Sequence, residues 1–129
     1  MQIMATIPTG ELVIKTIAMP GDTNANGDIF GGWVLSQMDL GGSMLAKTYS
    51  PSGRCVTVAI ESMVFINPVK VGQAVSCFAE IAKTGRTSIT INLEMWVYDY
   101  VLHASKIVTN GVFTYVAIGD DGKPVPLIK

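Results

Sequence analysis

Residues 31–47 read GGWVLSQMDLGGSMLAK, and this stretch decides the fold of the chain. One set of apolar side chains recurs at the spacing of an α-helix, and a second set lies on another side of the same helix. The first set is Val34, Leu35, Met38, Leu45 and Ala46, and the second is Leu40 and Met44. Because apolar residues lie nearly all round it, we predict that this helix is buried.

Two adjacent glycines, Gly41 and Gly42, lie in the middle of the predicted helix. A glycine in a helix interior costs about 1 kcal/mol relative to alanine, so the pair needs a physical reason. Either another part of the chain packs closely against the helix backbone at this point, or the helix is kinked there. The sequence does not choose between these two explanations.

Five segments with β-branched or alternating composition flank the helix, one before it and four after it. They span residues 11–18, 55–66, 73–82, 87–98 and 106–118. In the clearest strand, Ile89, Ile91, Leu93, Met95 and Val97 alternate with Ser88, Thr90, Asn92 and Glu94. Strict alternation is typical of a strand with one face in the core. One long helix combined with long antiparallel strands predicts an α+β protein whose sheet wraps around the helix.

The composition is rich in apolar residues. Hydrophobic residues make up 49% of the chain and charged residues only 15%. An open sheet also has exposed edges, which proteins normally cover or pair. We therefore expect a subunit interface in which one edge strand pairs with the same strand of a second copy by two-fold symmetry, giving at least a dimer.

Length, charge and cysteine usage exclude several classes of protein. A chain of 129 residues predicts a single domain spanning residues 1–129. The net charge of −1 gives no reason to expect a nucleic-acid partner. Residues 1–10 lack the pattern of a signal peptide, and no window reaches the roughly 18 apolar residues of a membrane span. With Cys55 and Cys77 expected to be reduced, we predict a cytoplasmic protein without a membrane partner.

A polar, glycine-bearing loop at residues 22–30 runs directly into the predicted helix. Asp28 stands just ahead of the first helical turn, where free backbone N–H groups and the positive dipole end favour an anion. This residue can be a simple N-cap. It can also act as a general base or nucleophile while the N–H groups of Gly31, Gly32 or Trp33 stabilise an oxyanion. The two roles are compatible, because both call for a carboxylate at the positive end of the helix dipole, and the residues around Asp28 do not choose between them.

Other candidate catalytic groups are weaker. The single histidine, His103, lies in a polar segment between strands and is expected to be solvated. No serine-nucleophile, P-loop or dinucleotide motif occurs, and no residues have the spacing of metal ligands, so no metal site is expected. Asp22 is a weaker acidic candidate, and we interpret Asp39 as a polar-face or interface residue. Glu61 stays open between a salt-bridged interface residue and a component of the site.

Several ordered blocks of the sequence resemble the hotdog-fold acyl-CoA thioesterases, specifically the bacterial broad-specificity acyl-CoA hydrolases. The strongest block is TNANGDIFGGW at residues 23–33, followed by SQMD at residues 36–39. Further blocks are VTV at 56–58, ESMVF at 61–65, KTGRTSI at 83–89 and FTYVA at 113–117. The resemblance covers nearly the whole chain. It implies the hotdog fold, in which a five- to six-stranded antiparallel sheet wraps around a long central helix.

The resemblance also implies an activity, the hydrolysis of acyl-CoA thioesters to free coenzyme A and a carboxylic acid. Asp28 takes the family's catalytic carboxylate position, and Gly31 and Gly32 take its carbonyl-binding turn. Asn24 occupies a neighbouring loop position that orients water or the substrate. No metal or redox cofactor is implied, because coenzyme A enters only as part of the substrate and product.

A second group of residues is implied to contact coenzyme A. Lys83, Thr84, Gly85, Arg86, Thr87 and Ser88 resemble the segment that meets its nucleotide end. Two cations and three hydroxyls around a glycine turn suit phosphates, although a solvated basic hairpin has the same composition. Family sites lie between subunits, so Thr57 and Val58 of one copy are implied to line the tunnel opposite Asp28 of the other. The implied assembly is a dimer with shared active sites, and often a trimer of dimers.

Two other functions remain open. A hotdog dehydratase acting on 3-hydroxyacyl thioesters uses a histidine with an acid, and the loop before the helix contains no histidine. A non-catalytic acyl-CoA-binding module would use the same groove without the chemistry. The preferred acyl-chain length is not predicted, because no spacing rule converts apolar side chains such as Met38, Met63, Phe65 and Phe113 into a carbon count.

Overall fold

The computed structural model describes residues 7–128, and predictions that fall on residues 1–6 or on Lys129 lie outside the described residues. The prediction of one domain over residues 1–129 therefore stays a prediction. The described elements are β1 (Glu11–Ile17), a 3-10 turn (Pro20–Asp22), α1 (Gly31–Lys47), β2 (Cys55–Phe65), β3 (Ala74–Thr84), β4 (Ser88–Asp99) and β5 (Ala104–Ala117). The predicted helix and strand boundaries agree with these to within two residues.

The five strands form one antiparallel sheet in the order β1-β3-β4-β5-β2, with α1 packed against it. The α+β fold with an antiparallel sheet around one helix is confirmed. The apolar face of β4 is fully buried, as its alternation predicts, and forms the centre of the core with Val34 and Met38 of α1. Within the described part of the chain, no helix is long and apolar enough to cross a membrane.

The two glycines of α1 face the sheet at close range. A Cβ atom on Gly41 would lie 2.8 Å from Cγ2 of Val13. A Cβ atom on Gly42 would meet the hydroxyl of Tyr115 and would lie 2.9 Å from Cδ1 of Leu93. Both glycines are buried. The explanation by close packing is therefore confirmed, because the sheet approaches the helix backbone where the side chains are absent.

Asp39 connects the helix to two strands. Its Oδ1 atom accepts hydrogen bonds from Oγ1 of Thr57 at 2.7 Å and from the hydroxyl of Tyr115 at 3.1 Å. The same hydroxyl also donates to the backbone carbonyl of Asp39 at 3.0 Å. Burial raises the pKa of Tyr115, and the neighbouring Asp39 carboxylate raises it further. The prediction that Asp39 is a polar-face or interface residue rather than a catalytic partner stays a prediction, and the contacts described here occupy its Oδ1 atom.

One edge of the sheet presents an apolar surface to solvent. Strand β2 pairs with β5 on one side only, and its register with β5 shifts twice, at Val58 and at Ser62–Met63. The large apolar residues exposed on β2 are Val56, Val58, Ile60, Val64 and Phe65, and those exposed on α1 are Leu40 and Met44. We call this set the β2 edge, because its members lie on both sides of the sheet at this edge. The prediction that the helix is buried is therefore wrong, in the single chain, for the side that carries Leu40 and Met44. An exposed apolar area of this kind marks an interaction surface.

Candidate active site

The loop before α1 folds back on itself as a tight turn. Thr23 and Ile29 form an isolated antiparallel bridge, and the N–H of Asn24 donates to the carbonyl of Asp28 at 2.7 Å. The N–H of Phe30 donates to the carbonyl of Asp22 at 3.0 Å. These hydrogen bonds fix the backbone on both sides of the turn, so the position of Asp28 is set before the helix begins.

Asn24 holds the turn through its side chain. Its Oδ1 atom accepts from the N–H of Asn26 at 2.8 Å and from the N–H of Asp28 at 3.2 Å. Gly27, between them, has a φ of +84°, a conformation that glycine adopts without steric cost. The amide nitrogen of Asn24 has no hydrogen-bond partner among residues 7–128. Asn24 therefore positions Asp28 and keeps one donor group available.

The prediction that Asp28 caps the helix is wrong. The N-cap residue is Phe30, with φ −75° and ψ 151°, and no side chain caps the helix. Two extended residues, Ile29 and Phe30, carry the chain from the turn to the helix, so Asp28 stands outside the capping position. Its carboxylate instead forms a salt bridge with Lys70.

The first turn of α1 has two free donors. The N–H of Trp33 donates to the carbonyl of Phe30 at 3.1 Å, whereas the N–H groups of Gly31 and Gly32 have no acceptor in the part of the chain that the structure describes. Aromatic rings lie beside both glycines. A Cβ on Gly31 would lie 3.3 Å from the ring of Phe65, and one on Gly32 would lie 3.0 Å from that of Phe30. Free N–H groups at a helix start can hold a carbonyl oxygen that becomes negatively charged.

Lys70 is a residue that sequence analysis missed. Its Nζ atom forms the salt bridge with Oδ1 of Asp28 across a separation of 42 residues. The side chain of Asp28 is 31% exposed and that of Lys70 is 57% exposed. No spacing pattern connects the two residues. The sequence next to Lys70, Val71-Gly72, predicts only a turn. A turn does not indicate a salt bridge between Lys70 and Asp28.

The segment predicted to meet coenzyme A forms the turn between β3 and β4. The N–H of Gly85 donates to the carbonyl of Ser88 at 2.8 Å, and the N–H of Leu127 donates to the carbonyl of Arg86 at 3.0 Å. Lys83, Thr84, Gly85 and Arg86 are exposed, while Thr87 and Ser88 are half-buried. The hydrogen bond from Leu127 therefore holds the turn against the C-terminal segment, and the side chains of Lys83 and Arg86 are exposed to solvent.

Within one chain, this turn and Asp28 lie at opposite ends of the sheet. Ser88 pairs with Val116, which pairs with Val56 near the beginning of β2. Phe65, at the end of β2, lies over the helix start that follows Asp28. Thr57 and Val58 are at the same end of the sheet as this turn, and the hydroxyl of Thr57 donates a hydrogen bond to Oδ1 of Asp39. One chain alone does not bring the two predicted halves of the site together.

The remaining candidates have no catalytic environment. Burial raises the pKa of Cys55, and it raises that of Cys77 to about 12, so both thiols are poor nucleophiles. His103 is exposed in the turn between β4 and β5 with a φ of 52°. Glu61 is exposed and makes no ion pair with any residue from 7 to 128. Over the same residues, no three His, Cys, Asp or Glu side chains come together as a metal site needs.

The chain is similar to a set of known proteins. A family model described as the thioesterase superfamily matches residues 26–102. The chain is 52% identical to the acyl-CoA thioester hydrolase YciA of Salmonella typhimurium, over 98% of this chain and 97% of that protein. It resembles a hexameric thioesterase from Yersinia pestis (TM-score 0.90, 54% identity, 95% and 99% of the two chains covered). It also resembles a hexameric hotdog-fold thioesterase from Campylobacter jejuni (TM-score 0.82, 40% identity, 92% and 90% covered).

Proposed function

Because this chain belongs to the thioesterase superfamily, we propose that it hydrolyses acyl-CoA thioesters to free coenzyme A and a carboxylic acid, with Asp28 as the reactive carboxylate. The observation that carries the assignment of the site is the juxtaposition of Asp28 with a helix start whose first N–H groups are free. A carboxylate and an oxyanion site are the groups that thioester hydrolysis requires.

The reaction begins when the thioester oxygen accepts hydrogen bonds from the N–H groups of Gly31 and Gly32. Asp28 takes a proton from water, and the water oxygen attacks the carbonyl carbon. The tetrahedral oxyanion then collapses, the carbon–sulfur bond breaks, and the thiolate of coenzyme A takes the proton from Asp28. Direct attack by Asp28, which gives a mixed anhydride that water hydrolyses, uses the same groups. The free amide nitrogen of Asn24 is suited to orient the water or the substrate.

The proposal needs no redox cofactor, because hydrolysis transfers no electrons, and it assigns no step to a metal ion. We place the reaction in the cytoplasm, where the free thiols of Cys55 and Cys77 stay reduced. Coenzyme A enters only with the substrate.

The primary test is thiol release from a panel of acyl-CoA substrates of increasing chain length. Turnover with saturated acyl-CoA supports the hydrolase. A non-catalytic acyl-CoA-binding module would bind the same compounds without releasing thiol. A dehydratase would instead act on 3-hydroxyacyl thioesters and release water while keeping the thioester intact. The same panel also reports the preferred chain length.

The assembly in this proposal is a dimer with shared sites, within a trimer of dimers, as the hexameric relatives suggest. Strand β2 of a second copy pairs antiparallel with β2 across a two-fold axis near the middle of the strand. The beginning of one β2 then lies beside the end of the other. Thr57 and Val58 of one copy, with the turn at 83–88, thereby approach the helix start near Asp28 of the other copy.

We expect Ile60→Lys to separate the subunits and to lower activity. Ile60 is 41% exposed in the single chain, so a lysine there fits the monomer but becomes buried and unpaired in the dimer. An uncompensated buried charge costs about 3 kcal/mol or more, enough to weaken association by about a hundredfold. Light scattering after size exclusion measures the mass, and thiol release measures the loss of kcat/KM.

The matched control for this variant is Val101→Lys, because Val101 is 86% exposed in the turn between β4 and β5 and lies outside the β2 edge. This variant should keep the mass and activity of the unmodified protein. An Ile60→Lys protein that retains its full mass would contradict the pairing of β2 with its copy.

We expect Lys83→Ala combined with Arg86→Ala to raise KM for acyl-CoA by about tenfold or more, since hydrogen bonds to charged groups contribute about 1.5–3 kcal/mol each. The kcat should change little, because in the proposed site both side chains meet the nucleotide end of coenzyme A and not the thioester carbon that reacts. Steady-state kinetics with an acyl-CoA measures both constants.

An acyl-pantetheine thioester, which lacks the nucleotide, provides the internal control for these variants. Its KM should be the same for the double variant and the unmodified protein. Equal KM values for the full acyl-CoA in both proteins would remove the 83–88 turn from the binding site and leave it as a solvated basic hairpin.

A further inference from the structure

We propose that Lys70 is a positioning residue that holds the carboxylate of Asp28 in its reactive orientation. The proposal rests on the proposed function, in which Asp28 is the reactive group. The observation is the salt bridge between Nζ of Lys70 and Oδ1 of Asp28, which joins the turn before α1 to the segment that connects β2 with β3.

The backbone brings the two residues together. The N–H of Ile29 donates to the carbonyl of Val69 at 3.0 Å, and both of these neighbours are buried, at 5% and 2% exposure. The N–H of Lys70 donates to Oε1 of Gln73 at 2.9 Å, and the N–H of Gln73 donates to the carbonyl of Lys70 at 3.2 Å. The contact therefore depends on two fixed backbone positions as well as on two flexible side chains.

Lys70 is the one group that restrains the carboxylate of Asp28 among residues 7–128. Asn24 fixes the backbone of Asp28 through the N–H and C=O groups, but these bonds leave its side-chain torsions free. The salt bridge restrains these torsions at Oδ1. Oδ2 takes no part in the pair and remains available to accept the proton of the attacking water.

The salt bridge affects the orientation of the Asp28 carboxylate more than it affects the stability of the fold. Both side chains are partly exposed, and exposed ion pairs contribute little to stability because water and salt screen them. In contrast, a reacting group displaced by about 1 Å loses up to about 100-fold in rate. Removing the ammonium should therefore slow the chemical step while leaving the fold and the binding of coenzyme A nearly unchanged.

The test compares Lys70→Ala, Lys70→Met and Lys70→Arg in the full-length protein, using thiol release from an acyl-CoA that the unmodified protein hydrolyses. We expect Lys70→Ala and Lys70→Met to lower kcat by about tenfold with KM within about twofold. Lys70→Arg keeps a cation at this position and should retain at least half of the kcat of the unmodified protein. The methionine variant retains an unbranched apolar chain, so it separates the effect of charge from that of packing.

The matched control is Lys106→Ala, which removes the salt bridge between Lys106 and Asp99 at 3.3 Å without touching Asp28. It should keep the kcat of the unmodified protein. Added salt gives a second readout, because it screens an exposed pair. The kcat at saturating substrate should fall with salt in the unmodified protein and stay flat in Lys70→Met.

Two results would overturn the proposal. One is a kcat within twofold of the unmodified protein in Lys70→Ala and Lys70→Met, and the other is an equal loss in Lys70→Met and Lys70→Arg. In either case the proposed function stands if Asp28→Asn is inactive. If Asp28→Asn retains its turnover, the assignment of Asp28 as the reactive carboxylate fails together with the positioning role, and absence of thiol release in the unmodified protein is the result that would overturn the hydrolase.

Discussion

Asp28→Asn is expected to lower kcat for acyl-CoA hydrolysis by about a thousandfold, in the middle of the range of 10²–10⁴ that general acid–base groups contribute. Asparagine has the size of aspartate and can keep a hydrogen bond to Lys70, but it can neither take a proton from water nor attack a thioester. The backbone contacts of residue 28 to Asn24 do not involve the carboxylate, so the turn is retained. Steady-state thiol release measures the loss.

Binding provides the control for this variant. Calorimetric titration with coenzyme A should give nearly the same Kd for Asp28→Asn as for the unmodified protein, because the nucleotide end meets the 83–88 turn of the proposed site. An additional variant, Asp28→Glu, keeps the charge but moves the carboxylate by one methylene. We expect the kcat of Asp28→Glu to lie between that of Asp28→Asn and that of the unmodified protein. Near-normal turnover in Asp28→Asn would assign the chemistry to another group.

Gly42→Ala is expected to lower the free energy of unfolding by about 2 kcal/mol, within the range of about 1–3 kcal/mol for overpacked cores. The added methyl group would meet the hydroxyl of Tyr115 and would lie 2.9 Å from Cδ1 of Leu93. Tyr115 cannot move away without losing its hydrogen bonds to Asp39 at 3.0 and 3.1 Å. Urea denaturation at one fixed protein concentration measures the change.

The sign of the change in the free energy of unfolding shows whether the added methyl group meets the sheet. At an exposed helix position, alanine is about 1 kcal/mol more favourable than glycine, so without the contact the variant would be more stable. Gly21→Ala is the control, since a Cβ at Gly21 meets nothing within 4 Å and this glycine has no positive φ. A Gly42→Ala protein as stable as the unmodified one would show that the sheet does not approach the helix as described.

The helix and the central strands follow from the sequence because each has a strong local pattern. The residues of β4 alternate with a period of two, and Ile89, Leu93 and Met95 are all fully buried. The glycine pair in α1 was compatible with either a close approach or a kink, and only the fold decides for the close approach and identifies Tyr115 and Leu93 as the neighbours. Local periodicity therefore accounts for the secondary structure and for the buried face of β4, whereas the side of α1 that carries Leu40 and Met44 is exposed in the single chain.

The details of the site depend on contacts that no local pattern contains. The capping role of Asp28 was expected from its place before the helix, but two extended residues intervene and Phe30 takes the cap position. The contact with Lys70 joins residues 42 positions apart and arises from the backbone hydrogen bond between Ile29 and Val69. The alternation in β2 predicted a strand, but not the register shift at Val58.

In the proposed assembly, the exposed apolar residues of the β2 edge make the stability of this protein depend on its own concentration. If the free energy of folding includes burial of residues such as Leu40 and Ile60 against another copy, it follows the law of mass action. Dilution then shifts the equilibrium towards separate chains with an unpaired strand edge, the form most exposed to proteases and to aggregation. The measurable consequence of the proposed pairing is a midpoint of denaturation that rises with protein concentration.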